Sequence, residues 1–187
     1  MGAADPARDF DWRRPGSYWL VTRAALLHPR EYFASLAGLR GWGPPLFFLL
    51  ATHLVPALVR LGLQVWQGAL SPVAWLLSLL ASLSQALVAA GLIYLAARWV
   101  MRSAIRPETM LRVFAYAGGI VIASCLAAFM PAPANGIFLA VLTIVHLYLV
   151  MIGLQSAGDI PMPLAAACLI MALTAVLLGS ALWGGLG

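Results

Sequence analysis

The chain has 187 residues, of which 63% are hydrophobic and only 9% charged, and its mean hydropathy is +0.95. Nearly all of such a chain belongs to one membrane bundle, which excludes a separate soluble domain. The formal net charge is +5, and all 11 basic residues are Arg, gathered mainly in residues 8–40 and 98–112. Because basic residues collect in this way beside the cytoplasmic ends of membrane spans, the charge does not indicate nucleic-acid binding.

Residues 1–16 are polar and rich in charge, Pro and Gly. A segment of this composition cannot bury enough apolar surface to order itself, so we expect a disordered tail. It also lacks the apolar core of a cleavable signal peptide, so the first span is expected to act as the insertion signal.

Residues 17–40 form an amphipathic segment in which aromatic and aliphatic side chains alternate with Arg. This pattern predicts one or two interfacial helices on the cytoplasmic leaflet, attracted to anionic lipid headgroups. Pro29 can open the second helix, because the first helical position needs no backbone N–H. The predicted lipid or partner surface of this segment consists of Arg23, Arg30, Tyr32 and Phe33.

Residues 41–187 carry five apolar stretches separated by short breaks. A helix needs about 20 apolar residues to cross a bilayer, and each stretch is about that long. We therefore predict an all-α, polytopic integral membrane protein. The five predicted spans cover residues 45–63, 72–97, 109–129, 136–155 and 163–182.

The distribution of Arg between the breaks predicts the orientation of the spans. The N-terminal segment has six Arg and the break at 98–112 has four, whereas the breaks at 61–71 and 130–136 have none. The positive-inside bias then places the N-terminus in the cytoplasm and the C-terminus outside. The second break adds Arg98, Arg102 and Arg106 to the predicted cytoplasmic surface.

Three polar residues are predicted near the bilayer midplane: His53, Gln85 and His146. Polar and ionisable groups at this depth are costly and are often functional. The cluster could pass protons or hold an ion or polar ligand. Alternatively, its members could simply hydrogen-bond across helices, a contact worth about 0.6 kcal/mol on average. No acidic residue joins them, and two His without a carboxylate or thiolate make a poor metal site.

Motifs for catalysis are missing from the sequence. It contains no paired carboxylates, no metalloprotease His-Glu motif and no phosphate-binding glycine loop. We therefore expect a protein that is not an enzyme and has no catalytic residue, cofactor or metal.

Small residues recur at every fourth position of the third span, at Ala115, Gly119, Ala123 and Ala127. On an α-helix these positions form one smooth face that another helix can approach closely.

Three segments of the chain resemble the Yip family of five-span membrane proteins, named for members that interact with Ypt/Rab GTPases. They are residues 26–33 (LLHPREYF), 110–117 (MLRVFAYA) and 148–155 (YLVMIGLQ). The resemblance extends over about residues 24–180. It lies in the arrangement of the spans and not in a set of catalytic residues. The Asp-Leu-Tyr-Gly-Pro motif of many eukaryotic members is missing, and the chain is more similar to compact prokaryotic members.

The resemblance implies a membrane scaffold or adaptor with a cytoplasmic N-terminal segment. The lysine-free, Arg- and Ala-rich composition is typical of a high-GC bacterium, which predicts a bacterial inner-membrane protein. The expected partners are the lipid bilayer, anionic headgroups and a membrane or cytoplasmic protein, a second copy of the chain included. The alternative function is a small transporter or proton- or ion-conducting protein that uses His53, Gln85 and His146.

Overall fold

The computed structural model describes residues 9–69 and 71–184, with side chains as far as residue 174. This part of the chain is helical and contains no strand. Its seven α-helices are α1 (Ser17–Leu27), α2 (Pro29–Ser35), α3 (Gly43–Trp66), α4 (Pro72–Leu95), α5 (Pro107–Ala117), α6 (Ala134–Gly158) and α7 (Met162–Gly184).

Two of these helices continue in another helical form. A π-helical turn, Ala96–Val100, extends α4, and a 3₁₀ segment, Gly118–Phe129, extends α5. With these extensions, four helices are long and apolar enough to cross a membrane, as expected of an integral membrane protein. They are Gly43–Trp66, Pro72–Val100, Pro107–Phe129 and Ala134–Gly158. Within α7, Met162–Thr174 is a shorter apolar helix.

Three of the seven α-helices in the described part of the chain begin at a proline. Pro29, Pro72 and Pro107 are each the first residue of their helix, where a missing backbone N–H leaves nothing unpaired. Pro56 instead lies inside α3, where its ring displaces the hydrogen bond to the Thr52 carbonyl. Asp159 ends α6 in the left-handed conformation, with φ of 50°.

The third of the long helices is the most deeply buried of the four. In its most apolar 18-residue window 67% of the residues are buried, compared with 17% for Pro72–Val100. It changes from α to 3₁₀ geometry at Gly118, and a 3₁₀ run of 12 residues is unusually long. The long helices and α7 form a ring in which α3 packs against α4, α4 packs against α7, and α7 packs against α6. The third long helix closes the ring, because it packs against both α6 and α3.

The segment before α3 packs onto this ring. Composition predicted that residues 1–16 form a disordered tail, of which residues 1–8 lie outside the described part. Within residues 9–16, Phe10 is only 8% exposed, and its ring packs edge-on against the ring of Phe48. Helix α1 packs against α5 and the 3₁₀ segment, and α2 packs against α6. The hydroxyl of Tyr18 in α1 donates to the Gly119 carbonyl, 3.0 Å away, and lies 3.0 Å from Thr52 Oγ1.

One face of each N-terminal helix is therefore buried by protein. Tyr32 is 3% exposed and Phe33 is fully buried, so the prediction that these two residues form a lipid or partner surface is wrong for this fold. The physical reason is that α2 packs against α6 and that the Tyr32 ring lies beside Tyr116. Helix α1 keeps an exposed apolar side with Trp19 and Leu20.

Candidate functional site

The three predicted midplane residues line one central cavity. His53 on α3, Gln85 on α4 and His146 on α6 all line a partly open space of 370 Å³ between the helices, where Gln85 is exposed. Each lies about ten or more residues from the start of its helix, or about 15 Å or more along it. The three residues that were grouped by counting from the span ends therefore line the same cavity.

A short hydrogen bond crosses one wall of the cavity. His53 Nδ1 lies 2.6 Å from Ser82 Oγ, which joins α3 to α4. The Ser82 hydroxyl occupies the same helix stripe as Gln85, one turn earlier. His53 is thus held in one orientation by its neighbour and needs no ligand for this nitrogen.

On the opposite wall, the imidazole of His146 keeps one free nitrogen. Its Nε2 is buried and has no hydrogen-bond partner among the described residues. The ring stands edge-on to Phe114, with ring centroids 5.0 Å apart. Gly118 lies beside Nε2, where even an added Cβ would be 3.7 Å away. A buried polar atom without a partner is rare in native structures, and this nitrogen is available to a hydrogen-bonding group that enters the cavity.

The described residues contain no group of three or more His, Cys, Asp or Glu close enough to hold a metal ion. The cavity lining includes neither Cys, Asp nor Glu.

A second polar site, which the sequence analysis missed, joins the N-terminal segment to α5. Arg112 is fully buried, and its Nε and Nη2 donate to Asp9 Oδ2 at 3.0 and 2.8 Å. The same guanidinium donates to the carbonyls of Leu39, 3.4 Å away, and Arg40, 2.8 Å away. We call this arrangement the Asp9–Arg112 clasp, because it fastens residues 9 and 39–40 to one side chain.

Two tyrosines complete the clasp. The hydroxyl of Tyr116 donates to Asp9 Oδ1 and accepts a 3.4 Å hydrogen bond from the backbone N–H of Phe10. Tyr32 packs beside Tyr116, with ring centroids 6.2 Å apart. Burial raises the pKa of Tyr32 above its ordinary value, and the nearby Asp9 carboxylate raises it further. The Tyr32 ring is therefore a neutral phenol near neutral pH, and its buried hydroxyl has no hydrogen-bond partner among the described residues.

The five predicted surface arginines are exposed. These are Arg23, Arg30, Arg98, Arg102 and Arg106. Among the described residues the ion pairs are Arg14 with Asp11 and Arg112 with Asp9, so no carboxylate neutralises any of the five. Arg112, which the Arg count grouped with them, belongs instead to the buried clasp.

The break that carries three of these arginines is tied to the end of α6. Ser103 Oγ donates to the Gly158 carbonyl at 2.7 Å, and Arg98 Nη1 donates to the Ser103 carbonyl at 3.2 Å. Arg102 adopts a left-handed conformation with φ of 53°, which few non-glycine residues do. The break is thus held in one arrangement rather than left as a free loop.

No family model, curated protein or solved structure matches the chain. The features of the molecule that bear on function are therefore the cavity, the clasp and the exposed arginines.

Proposed function

We propose that this protein is a non-enzymatic, five-span membrane adaptor of the Yip type, in a bacterial inner membrane with its N-terminus in the cytoplasm. In this proposal the five exposed arginines form a cytoplasmic docking face for an acidic protein partner. We call them the arginine face. The observation that carries the proposal is that all five are exposed and lack a carboxylate partner in the described part of the chain.

The clasp supports the idea of a single, ordered docking face. Arg23 and Arg30 lie in α1 and α2, whereas the other three arginines follow α4. Helices α1 and α2 are fixed to the bundle by their buried faces and by the Asp9–Arg112 clasp. Charges from two distant parts of the sequence are therefore presented by one rigid body, and a fixed pattern of charge favours specific partners.

The fifth span is α7. This helix has 23 residues, or about 35 Å at 1.5 Å per residue, which is enough to cross the hydrocarbon. With five spans, the breaks after α4 and α6 lie on the same side as the N-terminus. The tie between Ser103 and Gly158 joins those two breaks and is consistent with this arrangement.

A photo-crosslinking amino acid at Ala104 tests the adaptor function directly. Ala104 is exposed between Arg102 and Arg106, and Ala69, exposed after α3, is the matched control site. We expect irradiation of cells to produce a discrete protein adduct from position 104 and none from position 69. Replacement of all five arginines by Gln should remove the adduct while the protein remains in the membrane.

Identical adducts from both positions, or an adduct that survives the Gln replacements, would contradict the adaptor proposal. If position 104 labels anionic lipid alone, the arginine face binds lipid headgroups and not a protein partner.

The cavity favours a second candidate, a small transporter or proton- or ion-conducting protein. Five helices contribute to the lining, and it contains His53, Gln85 and His146. Reconstitution in liposomes tests this candidate. Transport driven by a pH gradient, abolished by His53→Gln or His146→Gln without loss of folded protein, would favour it over the adaptor.

A further inference from the structure

The polar groups of the central cavity divide into those already paired and those still free. Thr52 Oγ1 donates to the Phe48 carbonyl, and Thr143 Oγ1 donates to the Leu139 carbonyl. His53 Nδ1 and Ser82 Oγ are paired with each other, and the second nitrogen of the His53 ring forms no hydrogen bond within the described residues. Gln85 and His146 Nε2 remain, the first without a hydrogen bond and the second buried without a partner in the described part of the chain. They stand on different walls, on α4 and α6.

The rest of the lining indicates what kind of molecule could use these two groups. It is apolar, with side chains such as Leu49, Ile93, Phe114, Leu147 and Leu169, and none of its residues is Asp, Glu, Lys or Arg. An ion placed there would meet no opposite charge, and a bare charge at membrane depth costs several kcal/mol. A neutral molecule with an apolar body meets no such penalty.

The size of the cavity also suits a small molecule. Its 370 Å³ lies near the lower end of the range of about 300–1,000 Å³ that ligand pockets occupy. Sites of this kind have mainly apolar walls and a few polar groups that orient the ligand. The central cavity has this composition.

We propose that the cavity binds a neutral, membrane-soluble molecule with a hydroxyl or carbonyl head, which hydrogen-bonds to Gln85 and to His146 Nε2. The apolar body of the ligand lies against the aliphatic and aromatic lining. Gln85 can donate and accept, so the two residues recognise either type of head. The adaptor proposal does not use this site. A protein that crosslinks a partner but binds no such ligand would keep that proposal and lose this one.

Three photoreactive probes with the same diazirine-bearing alkyl chain test the inference. One ends in a hydroxyl, the second in a carboxylate and the third in a trimethylammonium group. With the full chain in nanodiscs, we expect saturable labelling by the hydroxyl probe, displaced by the unlabelled alcohol and mapped to peptides of α4 and α6. The two charged probes should label only the lipid-facing surface, without saturation.

Two variants connect the labelling to the proposed contacts. Gln85→Leu removes one hydrogen bond and should weaken saturable labelling roughly fivefold, the effect of a typical hydrogen bond. Gly118→Ala removes no polar group but places a methyl 3.7 Å from His146 Nε2, which shields that nitrogen at ordinary contact distance. It should weaken labelling as well. Ser78→Ala, on α4 but outside the lining, is the matched control and should label as the wild type does.

The inference is overturned if labelling by the hydroxyl probe does not saturate, since the cavity then holds water only. It is equally overturned if the charged probes compete at the same site. Wild-type labelling in both Gln85→Leu and Gly118→Ala would show that the probe binds elsewhere. Melting temperatures of the variants, measured in parallel, separate a lost contact from a lost fold.

Discussion

The Asp9–Arg112 clasp makes a sharp prediction for Asp9→Asn. The substitution preserves the size of the side chain but removes the charge that balances a fully buried guanidinium. Breaking one partner of a buried ion pair costs about 3–5 kcal/mol. We take about 3 kcal/mol, because the Asp9 side chain is 22% exposed and the Asn carbonyl can still accept a hydrogen bond. Since about 1.4 kcal/mol is a factor of ten, the clasp should open on the order of 100-fold more often.

Hydrogen exchange measured by mass spectrometry in nanodiscs reports this opening. Amides of residues 9–27 should exchange on the order of 100-fold faster in Asp9→Asn, whereas α6, which the clasp does not touch, should be unchanged. Asp11→Asn is the matched control. Its carboxylate lies 3.7 Å from Arg14 in an exposed pair, with side chains 45% and 77% exposed, and such pairs contribute little. Equal exchange in Asp9→Asn and Asp11→Asn would refute the reasoning.

Two further substitutions test how α1 packs against the bundle. Gly119→Ala should lower the melting temperature by several degrees, because the new Cβ would lie 2.5 Å from Thr22 Oγ1, and overpacking costs about 1–3 kcal/mol. Gly118→Ala, with its nearest contact at 3.7 Å, should leave the melting temperature unchanged or slightly raised; equal melting temperatures for the two variants would contradict this packing. Burial raises the pKa of Tyr18 to about 12, whereas the pKa of a tyrosine in the unfolded chain is near 10. The neutral phenol therefore contributes its full stability below about pH 10, and this stability is lost as the pH rises toward 12. Stability measured from pH 9 to 12 should therefore fall more steeply in the wild type than in Tyr18→Phe, and parallel curves would show that Tyr18 is not buried as described.

The long helices and the cavity residues could be predicted from the sequence, because both predictions depend only on residues that are close together in the chain. Four predicted spans lie within the four helices that are long and apolar enough to cross a membrane, from 45–63 within Gly43–Trp66 to 136–155 within Ala134–Gly158, and the fifth, 163–182, lies within α7. Hydropathy over about 20 residues identifies such helices whatever their neighbours are. Depth along a helix then follows from 1.5 Å per residue, which is why His53, Gln85 and His146 could be grouped.

The Asp9–Arg112 clasp could not be predicted from the sequence, because its two partners are 103 residues apart in the chain. An Arg count treats Arg112 like any other basic residue near a span end, and nothing local distinguishes it from Arg106. The aromatic face of α2 was misjudged for a related reason: an amphipathic pattern shows that Tyr32 and Phe33 avoid water, but not whether lipid or protein covers them.

The 3₁₀ segment shows a further limit of sequence patterns. The stripe of small residues at every fourth position assumes α-helical geometry, whereas the chain changes to 3₁₀ geometry at Gly118. Hydropathy does not distinguish the two helical forms, because it ignores hydrogen-bond spacing. The stripe nevertheless includes Gly119, which Tyr18 and Thr22 of α1 contact.

Two-sided cysteine labelling tests most directly whether the arginine face is cytoplasmic, which the adaptor function requires. Single cysteines at Ala104 and Ala69, both exposed, are introduced after Cys125 and Cys168 have been replaced by Ala. A membrane-impermeant maleimide should label Ala69→Cys in intact cells, and Ala104→Cys only after the membrane is opened. Labelling of Ala104→Cys in intact cells would place the arginine face outside and contradict the account.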